Sequence, residues 1–148
     1  KLKNTGFGDN SFIVPVFVFY VLRKGIGQSY QIETWFFIVS DILDFQPKTT
    51  FDVWHDRASF HFLTTEKEIE MYKNLVSNSI SENGFMFLGT FSENGPLKCS
   101  GLEITQYSEE KFEHIFGTNF SKMNCFEEDH QTPFDTTQNF IFCTFKKK

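Results

Sequence analysis

The chain has few of the residues that mark several protein classes. Its 148 residues include three cysteines, Cys99, Cys125 and Cys143, an odd number without metal-binding spacing. This pattern favours reduced thiols in a cytoplasm over a disulfide framework. Basic residues are also few: 14 Lys and Arg against 19 Asp and Glu give a net charge of -5. That balance argues against a nucleic-acid-binding surface.

Long hydrophobic runs are missing as well. Residues 12–22 are apolar, but Pro15 interrupts them and the run is about half as long as a membrane helix. The basic Lys1 and Lys3 are followed by polar residues instead of the apolar stretch of a signal peptide. We therefore predict a cytoplasmic protein with no membrane segment. The length allows one domain, residues 1–148, with its own core.

From residue 35 onward the chain alternates between strand and helix signals. The short apolar runs at 35–39, 51–54 and 85–91 are typical of buried parallel strands. Thr65 and Glu68 have the spacing of a capping box, which predicts a helix that closes at residues 83–84. Ser108 is predicted to cap a second helix, which Gly117 ends.

Two closely spaced strand signals follow, at residues 120–126 and 138–145. Together with the earlier alternation they predict an α/β fold. Its sheet is expected to be mainly parallel, with an antiparallel C-terminal strand. The segment between the apolar runs 16–22 and 35–39 does not fit this pattern. A parallel sheet needs a crossover helix there, but residues 25–31 contain two glycines and form a helix poorly.

The stretch 51–64 reads FDVWHDRASFHFLT, with charged residues directly after an apolar strand. Such groups often mark the working edge of an α/β sheet. The stretch resembles the fourth strand and following loop of a bacterial group of class I S-adenosylmethionine-dependent methyltransferases. The segment 95–102, GPLKCSGL, is similar to the same group. The resemblance covers residues 38–148 well and residues 6–11 loosely. It implies a Rossmann-like methyltransferase sheet whose first strand is incomplete.

The resemblance also implies a site for S-adenosylmethionine. In it, Gly6, Gly8 and Asp9 cradle the amino-acid end of the cofactor, because glycines let the backbone approach a ligand closely. A plain turn is the alternative. Asp41 is implied to accept a hydrogen bond from the adenine amino group, and Ile42 to pack on the ring. A surface aspartate that caps a turn is the alternative for Asp41.

The reaction centre is implied to be lined by His55, Asp56 and Arg57, beside the sulfonium of the cofactor. A structural ion pair between Asp56 and Arg57 is the alternative. Neighbouring strand residues point to opposite faces, so His55 and Asp56 are poorly placed to share an ion and no metal site is predicted. Methyl transfer from a sulfonium requires alignment of the acceptor, not a covalent enzyme intermediate.

A wall on the substrate side is implied for Cys99, Tyr107 and His130. Ordinary loop anchoring is the alternative for Tyr107 and for the loop that contains His130. Cys99 can also be read as a nucleophile, but apart from Lys98 no neighbour in the sequence would lower its pKa.

The implied function is methyl transfer to a small-molecule or protein acceptor. We expect the activity to be weak or impaired for three reasons. The run 16–22 ends in Arg23 and Lys24, which are donors and cannot replace the carboxylate that accepts from the ribose hydroxyls. We also expect no complete first strand before Gly6 and no N-terminal cover over the site.

Residues 1–37 diverge from the resemblance, and one hypothesis is a frame-shifted stretch. Residues 24–32 can be encoded by codons that, read one base later, spell an alanine-rich amphipathic helix. The alternative function is a catalytically inactive methyltransferase-like fragment or a partner-binding module. A nucleotide-binding oxidoreductase is disfavoured, because the full G-x-G-x-x-G pattern is absent.

Overall fold

The computed structural model describes residues 40–133 and 135–148, together with four short strands nearer the N-terminus. These are β1 (Phe17–Phe19), β2 (Arg23–Lys24), β3 (Tyr30–Gln31) and β4 (Phe36–Ile38). Strand β2 pairs antiparallel with β3, and β1 pairs antiparallel with β4. The four strands therefore form an inner and an outer pair, as in a nested hairpin.

The apolar runs 16–22 and 35–39 do contain strands, but the parallel pairing expected for 35–39 is wrong. Strand β4 pairs antiparallel with β1, in a two-stranded sheet. The reason is the connection between them. Parallel neighbours need a long crossover, whereas the β2–β3 pair turns the chain back on itself, so that β1 and β4 meet in opposite directions.

Residues 40–133 and 135–148, here called the main body, contain a four-stranded sheet, two helices and several short elements. Its long strands are β5 (Phe51–Arg57), β6 (Ile80–Phe91), β9 (Phe120–Gln131) and β10 (Thr137–Lys147). Its helices are α1 (Glu66–Ser79) and α2 (Glu109–Phe116). The short elements are β7 (Lys98–Cys99), β8 (Leu102–Glu103) and the 3-10 turns Ile42–Asp44 and Phe60–Phe62.

The strand order of the main sheet is β5-β6-β10-β9. Strands β5 and β6 are parallel, whereas β10 pairs antiparallel with both β6 and β9. The predicted strands at 85–91 and 138–145 are present within β6 and β10, and each of these strands has two neighbours in the sheet. The burial expected for 85–91 is incomplete, because Phe85 and Phe87 are exposed. The antiparallel C-terminal strand is also present. The expectation of a mainly parallel sheet fits only the β5–β6 pair of this sheet.

Helix α1 begins as predicted and ends earlier. The Thr65 hydroxyl accepts a hydrogen bond from the backbone N–H of Glu68, and the Glu68 carboxylate accepts one from Thr65, which is a capping box. The helix stops at Ser79 instead of residues 83–84, because buried Ile80 already pairs with Phe51 in the sheet. The register with β5 then shifts, and Asn83 takes a φ of 62° within the strand.

The second helix also matches the prediction. The hydroxyl of Ser108 accepts a hydrogen bond from the backbone N–H of Lys111, and α2 ends before Gly117. In the part of the chain that the structure describes, no helix is both long enough and apolar enough to cross a membrane.

The hydrophobic core lies where α1 and α2 pack on one face of the sheet. Inward-facing strand residues such as Met86 and Leu88 meet the helix residues there. Aromatic rings fill much of this space, with Phe60 between Tyr72 and Tyr107 at centroid distances of 4.8 and 4.9 Å. The other fully buried aromatic residues are Trp54, Phe91, Phe112, Phe116, Phe120 and Phe145.

The prediction of three reduced cysteines is wrong for two of them. Cys125 on β9 and Cys143 on β10 form a disulfide, with their Cα atoms 4.2 Å apart. The two residues lie directly opposite each other in the β9–β10 pair. The register of the two strands brings the cysteines together, and the spacing of cysteines in the sequence does not predict this pairing. Cys99 is free.

Candidate functional site

The segment 55–57 lies at the carboxyl end of β5, beside the parallel strand β6. Its side chains alternate between the two sheet faces, as strand geometry requires. His55 and Arg57 are exposed, whereas Asp56 is only 1% exposed and points toward the helices. In the described residues, no three His, Cys, Asp or Glu side chains converge in a way that would hold a metal ion.

Asp56 is buried, and each of its two carboxylate oxygens accepts a hydrogen bond. Its Oδ2 accepts a 2.6 Å hydrogen bond from the Tyr72 hydroxyl, and its Oδ1 accepts a 3.2 Å bond from the backbone N–H of Ser59. Burial raises the pKa of Asp56, and these hydrogen bonds partly oppose the rise. The residue sits inside the protein, with α1 over it.

Arg57 does not form the ion pair with Asp56 that the alternative reading required, because the two side chains leave opposite faces of the strand. Its guanidinium carbon lies 5.9 Å from the centroid of the Phe142 ring on β10, a cation–π arrangement. Gly89 makes room for that ring: a Cβ at this position would come within 2.7 Å of Phe142.

The chain turns sharply after β5. Ala58 has a φ of 63°, which is unfavourable for a residue with a Cβ. Its backbone N–H donates to the carbonyl of Gly89 over 2.8 Å, and the next N–H, of Ser59, donates to Asp56. The turn is thus attached to β6 on one side and to the Asp56 side chain on the other.

The sequence analysis assigned no role to His61. The side chain is fully buried, and its Nδ1 lies 2.9 Å from the Thr90 hydroxyl on β6. The ring stacks on Phe91 at 4.7 Å, and Nε2 has no hydrogen-bond partner within the described residues. Burial lowers the pKa of His61 to about 4, so the imidazole is neutral at pH 7. Nothing in the spacing of the sequence pairs His61 with Thr90.

A polar network at the end of β6 was also missed. Ser92 is fully buried and donates its hydroxyl proton to the side-chain oxygen of Asn139 on β10. The Asn139 amide donates to Asp129 on β9 over 2.8 Å, and the Ser92 hydroxyl accepts from the backbone N–H of Asn94 over 3.0 Å. This network ties three strands together at the edge where β5 also ends.

The residues assigned to the cofactor are only partly described. Gly6, Gly8 and Asp9 lie outside the described residues. Asp41 is exposed, and its Oδ1 accepts a 2.8 Å hydrogen bond from the backbone N–H of Leu43, so it caps the first 3-10 turn. Ile42 is 4% exposed and belongs to the hydrophobic core.

The three residues assigned to the substrate-side wall lie on different parts of the chain. Cys99 is partly buried in the β7–β8 hairpin. Tyr107 is 1% exposed and stacks on Phe112 at 5.0 Å; burial raises its pKa above its ordinary value. His130 is exposed on β9, with its ring edge-on to Phe140 at 6.2 Å. No hydrogen bond or ring contact joins these three within the described residues.

Comparison with known proteins shows that this chain is similar to some of them in structure but not in sequence. No protein-family model matches the chain, and no curated protein is significantly similar to it in sequence. Among solved structures, it is similar to the N-methyltransferase NodS from Bradyrhizobium japonicum WM9. That match has a TM-score of 0.59 and 14% identity, and covers 74% of this chain and 58% of NodS.

Two further structures extend the comparison. A SAM-dependent methyltransferase from Methanosarcina mazei has a TM-score of 0.61 and 12% identity, with coverage of 84% of this chain and 72% of its own. The 1,6-didemethyltoxoflavin-N1-methyltransferase from Burkholderia thailandensis, solved with S-adenosylhomocysteine, has a TM-score of 0.58 and 12% identity. That match covers 75% of this chain and 50% of the enzyme.

The present chain therefore spans less than two thirds of the length of NodS and of the Burkholderia thailandensis methyltransferase. The similarity, at identities this low, concerns the fold. The mixed α/β body with its central sheet matches the Rossmann-like, class I fold of SAM-dependent methyltransferases.

Proposed function

We propose that this chain is a methyltransferase-like domain that binds S-adenosylmethionine and transfers its methyl group to a small-molecule or protein nucleophile. The observation that carries the proposal is the sheet. Its parallel β5–β6 pair places residues 55–57 at a carboxyl edge, the usual ligand-binding edge of open α/β sheets. Methyltransferases with this fold include NodS, which has also been solved with S-adenosylhomocysteine.

Asp41 fits the proposed role at the adenine. It is exposed, and only its Oδ1 accepts a hydrogen bond within the described residues, from Leu43. Because a carboxylate oxygen can accept more than one hydrogen bond, Asp41 can cap its turn and also accept from an amino group. Ile42 fits less well, since it is buried in the core and presents little surface to a ring.

His55 and Arg57 are the members of the 55–57 segment that a ligand can reach, since both are exposed. We assign them to the lining of the reaction centre and assign Asp56, which is buried, to its support. Bound S-adenosylmethionine would supply a methyl group already activated by a positively charged sulfur. The contribution of the protein is then to align the acceptor and to keep water out.

The glycine loop with Gly6, Gly8 and Asp9 is proposed to hold the amino-acid end of the cofactor. Cys99 and His130 are proposed as the substrate-side wall, with Tyr107 supporting it from the core. The basic Arg23 and Lys24 stand where a carboxylate is expected to accept from the ribose. Losing a hydrogen bond to a charged group lowers affinity by about ten- to a hundredfold, so we propose that binding and activity are weak.

An inactive, partner-binding module is the second candidate. It is favoured by one observation: Ile42, Asp56 and Tyr107, three of the residues assigned to the site, are buried in the core. In this case the chain keeps the methyltransferase-like fold but does not catalyse methyl transfer.

Calorimetric titration of the purified chain with S-adenosylmethionine and S-adenosylhomocysteine decides between the two. Binding weaker than about micromolar but measurable supports the impaired methyltransferase. Micromolar or tighter binding would keep the methyltransferase and remove the impairment. If the chain is folded by circular dichroism but shows no heat of binding up to millimolar ligand, the result supports the inactive, partner-binding module.

A further inference from the structure

The Asp56 carboxylate is buried beneath α1, and no Lys or Arg among the described residues forms an ion pair with it. A buried carboxylate is tolerated when hydrogen bonds replace the water that it has lost. Here the Tyr72 hydroxyl and the backbone N–H of Ser59 donate to it, with further contributions from the Ser59 hydroxyl and the Phe60 backbone. Tyr72 belongs to α1 and the other donors follow β5, so Asp56 connects α1 to the turn after β5.

The hydrogen bond from Tyr72 to Asp56 has a fixed direction. The indole N–H of Trp54 donates to the Tyr72 oxygen over 3.0 Å, and an indole N–H can only donate. The single phenol proton of Tyr72 is therefore directed at Asp56 Oδ2, 2.6 Å away. Burial and the Asp56 charge together raise the pKa of Tyr72 well above its ordinary value, so this proton is held.

The other oxygen of Asp56 holds a turn that is unfavourable on its own. Ala58 has a φ of 63°, and L-residues avoid this region because the Cβ approaches the following carbonyl oxygen. The hydrogen bonds from Ser59 to Asp56 and from Ala58 to Gly89 hold the turn on both sides. The turn follows directly after Arg57, so its position determines where β5 ends.

We infer that Tyr72 is a positioning residue: through Asp56 it fixes the turn at residues 58–59, and thereby the exposed side chains of His55 and Arg57 at the end of β5. The importance of these two side chains rests on the proposed function. Asp56 does not act as a base in this arrangement, because its oxygens are turned into the protein and already accept hydrogen bonds from Tyr72 and Ser59.

The first experiment measures hydrogen exchange of the Ser59 amide in Tyr72→Phe, which keeps the ring and removes the hydroxyl. Because a hydrogen bond to a charged group is lost from the network, we expect Ser59 to exchange about tenfold faster or more. Trp54→Phe, which removes the indole donor, is a second variant in the same direction. Ser77→Ala is the matched control: it removes a buried hydroxyl of the same helix that has no hydrogen-bond partner within the described residues.

Exchange at Ser59 that is unchanged in folded Tyr72→Phe and Trp54→Phe would overturn the inference. Equal acceleration in Ser77→Ala would do so too, because it would reflect general loosening of α1. Exchange does not depend on any ligand, and this part of the test therefore holds whether or not the chain binds the cofactor.

The second experiment titrates the variants with S-adenosylhomocysteine at a temperature where all are folded. We expect Tyr72→Phe and Asp56→Asn each to weaken binding by about tenfold. The double variant should be no weaker than the worse single one, because the two residues act as one unit. Parental affinity in Tyr72→Phe would show a purely structural role and overturn the inference at the site. No binding by the parent would overturn the proposed function, and with it the role of Tyr72 at a reaction centre, while the exchange result still decides the role in the turn.

Discussion

Buried His61 should make the protein less stable in mild acid. Its ring is fully buried between Thr90 and Phe91, and burial lowers its pKa from 6.5 to about 4. In the unfolded chain the imidazole takes up a proton as the pH falls below 6.5, whereas in the folded protein it stays neutral until about pH 4. Stability is thus fully present above the unfolded pKa and is lost as the pH falls through this window.

The size of the effect follows from linkage between protonation and folding. Between pH 7.5 and pH 5, proton uptake by His61 in the unfolded chain should lower the free energy of unfolding by about 2 kcal/mol. Below pH 4 the full loss should reach about 3 kcal/mol. Asp56 acts in the opposite sense, because its raised pKa makes the folded state relatively more stable on acidification. Comparison of variants at matched pH removes that contribution.

The assay is urea denaturation followed by circular dichroism at pH 7.5 and pH 5, with His61→Gln beside the parent. The glutamine amide can still meet the Thr90 hydroxyl but cannot ionise, so the stability of His61→Gln should depend on pH less than that of the parent, by about 2 kcal/mol over this interval. His114→Gln, at an exposed position on α2, is the control and should keep the parental dependence. An identical pH dependence in the parent and in His61→Gln would refute the reasoning.

Three further results are expected. Reduction of the Cys125–Cys143 disulfide, whose cysteines are 18 positions apart, should lower the free energy of unfolding by about 3 kcal/mol. Denaturation with and without reductant measures this loss, and an unchanged midpoint would contradict the presence of the disulfide. Thr65→Ala removes a capping box with Glu68 and should cost about 1 kcal/mol; a loss below about 0.3 kcal/mol in thermal unfolding would contradict that estimate. Asp41→Ala should weaken cofactor binding in calorimetry by about 1–3 kcal/mol, whereas affinity equal to that of the parent would remove Asp41 from the site.

Local signals in the sequence determined the elements of the main body. The capping box at Thr65, the cap at Ser108 and the end of α2 at Gly117 depend on residues three or four positions apart, so they can be read along the chain. The apolar runs at 51–54 and 85–91 similarly predicted strands, and these lie in β5 and β6. The end of α1 was misplaced, because the pairing of Ile80 with Phe51 in the sheet outweighs the turn signal at Asn83.

Strand pairing was decided by tertiary structure. The run 35–39 looks the same in sequence whether its neighbour is parallel or antiparallel, and the β2–β3 pair decides for the antiparallel partner. Register places Cys125 opposite Cys143 in the same way. The spacing of residues along the sequence cannot predict these partners, because shifting a strand by one position changes every partner.

The same distinction between sequence and tertiary structure applies to the candidate site. The sequence by itself located the segment 55–57 at the end of a strand, and strand periodicity alone separates His55 from Asp56. Only the tertiary structure showed that Asp56 is buried against Tyr72, and that His61 meets Thr90, 29 positions away. These contacts arise where α1 and β6 pack beside β5. Which polar groups lose water, and which partner replaces it, depends on that packing and not on residue order.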